Sequence, residues 1–162
     1  MLFRSREKKR IQRELLSAAD GEVFLLDEVP DEAFSSGMLG EGYAVRPENG
    51  VIRAPVAGRI GSVSDSMHAY SIDCDIGDVL VHVGIDTVTL KDAFEPHVSA
   101  GDEVCAGQQI AHADIEMIRN AGLDPIIPVI ITDKAVAGEI KVITGNARGG
   151  DTVLYIEDQR KD

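Results

Sequence analysis

Four histidines stand in this 162-residue chain, His68, His82, His97 and His112, and the spacing of two of them sets up a chemistry that the others lack. A turn signal, Asp75-Ile76-Gly77, lies between an upstream run, His68–Ile72, and an apolar downstream run, Val79–Ile85. If those runs pair antiparallel about Cys74–Ile76, partner numbers sum to about 150 and His68 faces His82 directly. Direct cross-strand neighbours on one face hold their Cβ atoms roughly 4.5–5.5 Å apart. A slip of one residue would turn them to opposite faces. Two imidazoles at that range repel if both are charged, so at least one is held neutral. A neutral imidazole is a nucleophile at physiological pH, and its neighbour can donate a hydrogen bond. The pair therefore suits phosphoryl transfer, one ring nitrogen taking the group and the other ring steadying its oxygens. At this level acceptor and helper are interchangeable. The same rings could ligate zinc incidentally, but two nitrogens fall short of the three or four ligands that zinc takes. No cofactor is required by this chemistry.

The elements that must position these rings read as strands. Short apolar runs recur from Gly21 onward: Val23–Leu26, Tyr43–Val45, Val51–Ala54, Ile60–Val63, Val79–Ile85, Thr87–Leu90, Gln109–Ala113, Ile126–Ile131, Ile140–Ile143 and Val153–Ile156. Turn chemistry separates them, as in Pro47-Glu48-Asn49-Gly50, Ala100-Gly101-Asp102, Gly145-Asn146 and Gly149-Gly150. Many short strands divided by Gly-rich turns predict an all-β fold, a compact antiparallel β-sandwich or barrel with one or two short helices. The convincing helix spans Ile115–Ala121, with Asp114 as N-cap and Gly122 as the stop. Residues 1–18 read as a basic tail or a short amphipathic helix, and residues 19–160 as one domain without an internal break.

Charge separates the two parts. Residues 1–16 hold six basic and two acidic side chains, whereas the whole chain carries a formal net charge of −12. The acidic body would repel nucleic-acid phosphates. It would speed encounter with a protein that presents a basic face. The basic segment offers a membrane-surface contact, against the commoner frayed terminus. No apolar run approaches the roughly 18 residues of a membrane span, and Met1 leads into charge rather than into a signal sequence. Cys74 and Cys105 form no C-x-x-C pair and read as structural thiols of a reducing compartment, so a cytoplasmic location is expected.

At His82 the sequence resembles a known family. Val81-His82-Val83-Gly84-Ile85-Asp86-Thr87-Val88 is similar to the H-x-G-I-D-T-V signature of the glucose-type IIA domain of the bacterial phosphoenolpyruvate-dependent sugar phosphotransferase system. Glu28–Phe34, Met38–Gly42, Ala54–Gly58, His68-Ala69 and Pro128–Thr132 fall in the same order as in that family, so the resemblance covers about residues 20–158. It implies a β-sandwich that takes phosphate from the carrier protein HPr and gives it to a cysteine of a sugar transporter's IIB domain. Some stand-alone members also regulate transporters or enzymes through their phosphorylation state. A chain that starts at Met1 and ends soon after the domain is expected to be stand-alone. The resemblance makes His82 the phosphoacceptor, through the ring nitrogen far from the backbone, and His68 its phosphate-stabilising helper. It puts Ser66 where a threonine commonly orients that helper. Asp31 and Asp86 match acidic rim positions that meet an arginine of HPr, and Phe34 and Leu39 match an apolar patch. His97 and His112 fall outside the site.

The chain departs from the family at three places. Its His68–His82 hairpin is one residue shorter than usual, Leu90–Phe94 lacks the usual Gly between Lys91 and Phe94, and Ser64 replaces an aromatic residue that some members carry on the docking face. Two rival readings are weighed. A lipoyl or biotinyl carrier would load Lys134, in Thr132-Asp133-Lys134-Ala135, but the distance from Gly101 to Lys134 is about twice what that hairpin allows. A zinc hydrolase on a related sandwich would need a third ligand, for which Asp86 could be proposed, and a water-activating group.

Overall fold

The computed structural model describes residues 13–157. In chain order the strands are β1 (Arg13–Leu16), β2 (Gly21–Leu25), β3 (Glu41–Pro47), β4 (Val51–Arg53), β5 (Gly58–Val63), β6 (Ala69–Cys74) and β7 (Gly77–His82). They continue as β8 (Phe94–Pro96), β9 (Glu103–Val104), β10 (Gln109–Ala113), β11 (Ile127–Ile131), β12 (Glu139–Val142), β13 (Gly145–Ala147) and β14 (Thr152–Glu157). All pairings are antiparallel. An eight-stranded sheet runs β13-β2-β3-β11-β7-β6-β5-β9, and two three-stranded sheets, β1-β14-β12 and β4-β10-β8, complete the sandwich. Two α-helices occur among the described residues, Glu32–Ser35 and Ile115–Asn120, as the all-β expectation with one or two short helices requires.

The main core takes one face from each sheet: Tyr43, Val79, Val81 and Val129 from the large one, Ile52 and Ile110 from the second, Leu15 and Leu154 from the third. Each aliphatic side chain that reaches zero exposure there contributes about 1.5–3 kcal/mol relative to solvent. A second, smaller cluster lies on the outer face of the large sheet. It joins Phe24, Leu26, Val29, Phe34, Ala44, Ile85, Ile126 and Ile130, with Leu80 packed against it. Strand β7 shows why two clusters exist. Val79 and Val81 are buried toward the main core, whereas Leu80 and His82, on the alternate face, are half-buried. The segment from Leu26 to Phe34 folds over that outer face and leaves His82 at the rim of the small cluster.

Three expectations are corrected. Arg13–Leu16 form a strand, not a helix or tail, because Leu15 is wholly buried and the segment pairs with β14. Tyr43 holds its end: the hydroxyl donates to the Leu16 carbonyl at 2.6 Å and accepts from the Ala18 N–H at 3.0 Å. The remainder of the N-terminal expectation, residues 1–12, lies outside the described residues. Thr87–Leu90 is no strand, because Thr87–Thr89 form a 3-10 turn entered through left-handed Asp86 (φ 60°). Gly145-Asn146, expected as a turn, lies in strand β13, which pairs with β2.

The helix Ile115–Asn120 follows its sequence signals. Asp114 accepts from the Met117 N–H at 3.0 Å as N-cap, and Gly122 (φ 78°) terminates the helix in the conformation that glycine adopts without strain. Among the described residues no helix is long and apolar enough to cross a membrane.

Candidate active site

The histidine hairpin forms, but its register is shifted by one. Cys74 pairs with Gly77 across a two-residue loop, Asp75-Ile76, so Ala69 rather than His68 stands opposite His82. The loop is decided by Gly77, at φ 126°, where a Cβ would lie 2.0 Å from the Asp133 carbonyl oxygen. Ile76 then drops into the core, 2% exposed. A one-residue shift should separate the rings, yet they meet. His68 precedes β6, outside the regular pleat, and follows Met67 in a left-handed conformation (φ 65°). The Tyr70 hydroxyl donates to the Met67 carbonyl at 2.8 Å, and the Val83 N–H donates to the His68 carbonyl at 2.7 Å. Burial pushes the Tyr70 hydroxyl's pKa up to about 12, so it remains a donor. The ring of His68, 7% exposed, thereby reaches past the end of β6 to His82, with ring centroids 4.8 Å apart and planes at 87°.

The residues after His82 explain their own types. Gly84 has φ 83°, and a Cβ there would sit 2.4 Å from Thr87 Cγ2. Its carbonyl accepts from His82 Nδ1 at 2.8 Å. Ile85 anchors the turn in the outer cluster, and buried Thr87 donates its hydroxyl to the Val83 carbonyl at 2.6 Å. Gly84→Ala is therefore expected to cost about 2–4 kcal/mol, from left-handed strain and overlap together. A denaturant-midpoint shift at unchanged slope checks this.

A carbonyl can only accept, so His82 Nδ1 carries its proton and Nε2 keeps its lone pair. Burial lowers the pKa of His82 below its ordinary 6.5, while the Gly84 hydrogen bond and the charges of Asp31 and Asp86 pull it part of the way back. Burial, then the neighbouring His82, lower that of His68. Both rings are thus disposed to neutrality, as the pairing argument requires. Phe34, 4% exposed, lies 5.1 Å from the His82 ring, and Phe94 lies 6.3 Å from that of His68. Asp31 caps the helix Glu32–Ser35, its carboxylate accepting from the Ala33 N–H at 2.9 Å, which fixes both Asp31 and Phe34 at the rim. Leu39, Met38 and Val88 are exposed apolar residues, at 40%, 76% and 56%.

Ser66 does not orient His68. Its hydroxyl donates to the Val88 carbonyl at 2.6 Å, tying the loop before His68 to the turn after His82. Ser64 is the residue at the ring, with Oγ 3.1 Å from His68 Nδ1. Residue type alone could not separate two serines in one loop. Asp92 (φ 68°) takes the left-handed turn in the segment that lacks the family's usual Gly, a conformation that Asp tolerates better than most residues. His97 and His112 are exposed, just after β8 and on β10, with His97 Nε2 3.1 Å from Glu95. Lys134 donates to the Gly138 carbonyl at 3.0 Å and lies 3.6 Å from Glu41. Among the described residues no group of three or more His, Cys, Asp or Glu side chains is placed to hold a metal ion. Cys74 is half-buried and Cys105 exposed, both free.

Fold and site together define an antiparallel β-sandwich that presents one bare imidazole nitrogen beside a second imidazole, in an apolar hollow with acidic residues at its rim. The chain matches the family model for the phosphoenolpyruvate-dependent sugar phosphotransferase system, EIIA 1, over residues 13–136. It is 36% identical to the glucose-specific EIIA component of Staphylococcus aureus, over 86% of each chain. It is 38% identical to part of the glucose-specific EIICBA component of Streptococcus pneumoniae and 41% identical to part of the beta-glucoside-specific EIIBCA component of Bacillus subtilis. It spans 21% and 20% of the lengths of those two relatives. The glucose permease IIA structure from Mycoplasma capricolum superposes with a TM-score of 0.84 at 32% identity, covering 90% of this chain and 96% of that one. The chain belongs to the EIIA 1 family, whose members are phosphotransferase components of the sugar phosphotransferase system.

Proposed function

We propose that the chain is a phosphohistidine carrier, in which His82 Nε2 takes a phosphoryl group from phospho-HPr and hands it to a cysteine of a sugar transporter's IIB domain. The observation that carries this reading is the Nδ1–H···O=C bond from His82 to Gly84, which leaves Nε2 bare beside His68. In the accepting step the Nε2 lone pair forms a new P–N bond as the donor histidine's P–N bond breaks, and that ring keeps the electron pair. In the delivering step a thiolate forms a P–S bond and the pair returns to Nε2. In-line transfer of this kind needs positioning and charge stabilisation more than covalent help. His68 supplies the stabilising hydrogen bond. Phe34 and the outer cluster exclude water, which protects a phosphoramidate from hydrolysis.

The rim suits protein partners rather than a free sugar. Asp31 and Asp86 offer carboxylates to a basic donor, within a body whose net charge is strongly negative. Exposed Met38, Leu39 and Val88 offer apolar contact to such a partner. The Streptococcus and Bacillus relatives are named as components that combine A with B and C parts, which supports a IIB acceptor. The setting is the cytoplasm, where phosphoenolpyruvate is made. Zinc at His68 and His82 would be incidental, because two nitrogens leave its coordination incomplete. The testing experiment incubates the chain with phosphoenolpyruvate, enzyme I and HPr. One acid-labile phosphate per chain, mapped to the His82 peptide, is expected; no incorporation, or a phosphate mapped elsewhere, refutes the reading.

The lowered pKa values set a pH dependence. An unfolded histidine takes its proton near 6.5, and the folded site resists it. The unfolded chain then binds more protons, so stability falls as pH drops below about 6.5 toward the folded values and is flat above. Urea midpoints measured from pH 7.5 to 5 should fall less steeply for His68→Gln than for the wild type.

A further inference from the structure

We infer that Ser64 is the positioning residue of this site, its hydroxyl holding His68 with the proton on Nε2 so that the helper ring faces the His82 phosphate as a donor. The inference rests on the phosphohistidine reading and adds a residue to it. Ser64 Oγ lies 3.1 Å from His68 Nδ1 and accepts from the Ala69 N–H at 3.1 Å. A hydroxyl has one proton, and with one lone pair filled by Ala69 that proton is free to point at Nδ1. An imidazole that accepts at Nδ1 must carry its own proton on Nε2. Ser64 can hold this direction because its backbone is fixed at both ends. Its N–H donates to the Ala69 carbonyl at 2.9 Å, and its carbonyl accepts from the Met67 N–H at 2.8 Å. Ser66 cannot substitute, since its hydroxyl is engaged by the Val88 carbonyl. The two rings are thereby set in opposite senses. Gly84 makes His82 Nε2 a bare nucleophile, and Ser64 makes His68 Nε2 a donor. An aromatic side chain at position 64 could not make this hydrogen bond, so the departure from the family's docking-face residue has a use in this chain.

The test uses the full chain, phosphorylated through HPr, and the rate at which it passes phosphate to a IIB domain. Ser64→Ala is expected to reach one phosphate at saturation but to pass it to the IIB domain about tenfold more slowly, the effect of one lost positioning hydrogen bond. Ser64→Thr, which keeps the hydroxyl, should restore the wild-type rate. In a His68→Gln background, Ser64→Ala should cause no further slowing, because a residue that acts only through His68 has nothing left to position. An equal slowing in both backgrounds would assign Ser64 a general structural role and overturn the inference. An independent readout is the NMR titration of the His68 ring. A donor to Nδ1 favours the neutral ring, so Ser64→Ala should raise the His68 pKa and Ser64→Thr should leave it at the wild-type value. A downward move in Ser64→Ala would mean that Nδ1–H donates to Ser64, and would overturn the inference. Wild-type transfer to the IIB domain by Ser64→Ala, with phosphate still confined to His82, overturns it alone. Labelling of His82→Ala overturns it together with the reading on which it rests.

Discussion

His82→Ala is expected to incorporate no phosphate from phosphoenolpyruvate, enzyme I and HPr, a loss limited only by the detection floor of the assay. Three other imidazoles remain in that variant, and none is placed to replace it. His68 is 93% removed from solvent, and Ser64 faces its Nδ1. His97 and His112 are exposed, just after β8 and on β10, and among the described residues neither ring packs against a second imidazole. The substitution removes a half-buried ring that packs on Phe34 and His68, so folding must be checked by circular dichroism. His82→Gln provides a second variant of closer shape. If either folded variant were labelled at the wild-type level, the phosphoacceptor would have to be sought elsewhere.

The second large effect falls on delivery. His68→Gln should still become phosphorylated on His82, because the Gln amide can donate one neutral hydrogen bond to the phosphate in place of the ring N–H. Passing the group to a IIB thiol should slow by about a hundredfold. As the P–N bond loosens, charge gathers on the phosphoryl oxygens, and an imidazole can take on positive character where an amide cannot. Burial beside His82 disfavours that cation in the resting protein, while the incoming dianion would favour it. Rapid-quench transfer from phosphorylated variant to a IIB domain measures the step. Equal slowing of acceptance and delivery would mean that His68 supports the fold of the site rather than the reaction.

Much of the site can be read in the linear chain, for a reason visible in the structure. Val81–Val88 is one continuous segment in which nearly every residue serves its neighbours: Gly84 holds the His82 ring, Ile85 anchors the turn and Thr87 locks the Val83 carbonyl. Such short-range contacts leave a motif. The helix Ile115–Asn120 is legible for the same reason, since its cap and its stop are its own neighbours. Strand β1 is not legible that way. Its leucines become a strand only by pairing with β14, at the far end of the chain, and propensity among basic residues says nothing of that.

By itself the sequence determined an all-β fold, the family, and the nearness of the His68 and His82 rings, though not as the direct cross-strand partners that the hairpin arithmetic gave. Tertiary structure alone decided how the rings meet. Gly77 admits a two-residue loop and shifts the register by one, and the loop from Ser64 to His68 brings the second ring past the end of its strand. It also decided which serine faces His68. The choice between Ser64 and Ser66 depends on a carbonyl of Val88, 22 residues further along the chain, and no local pattern reports a partner at that separation.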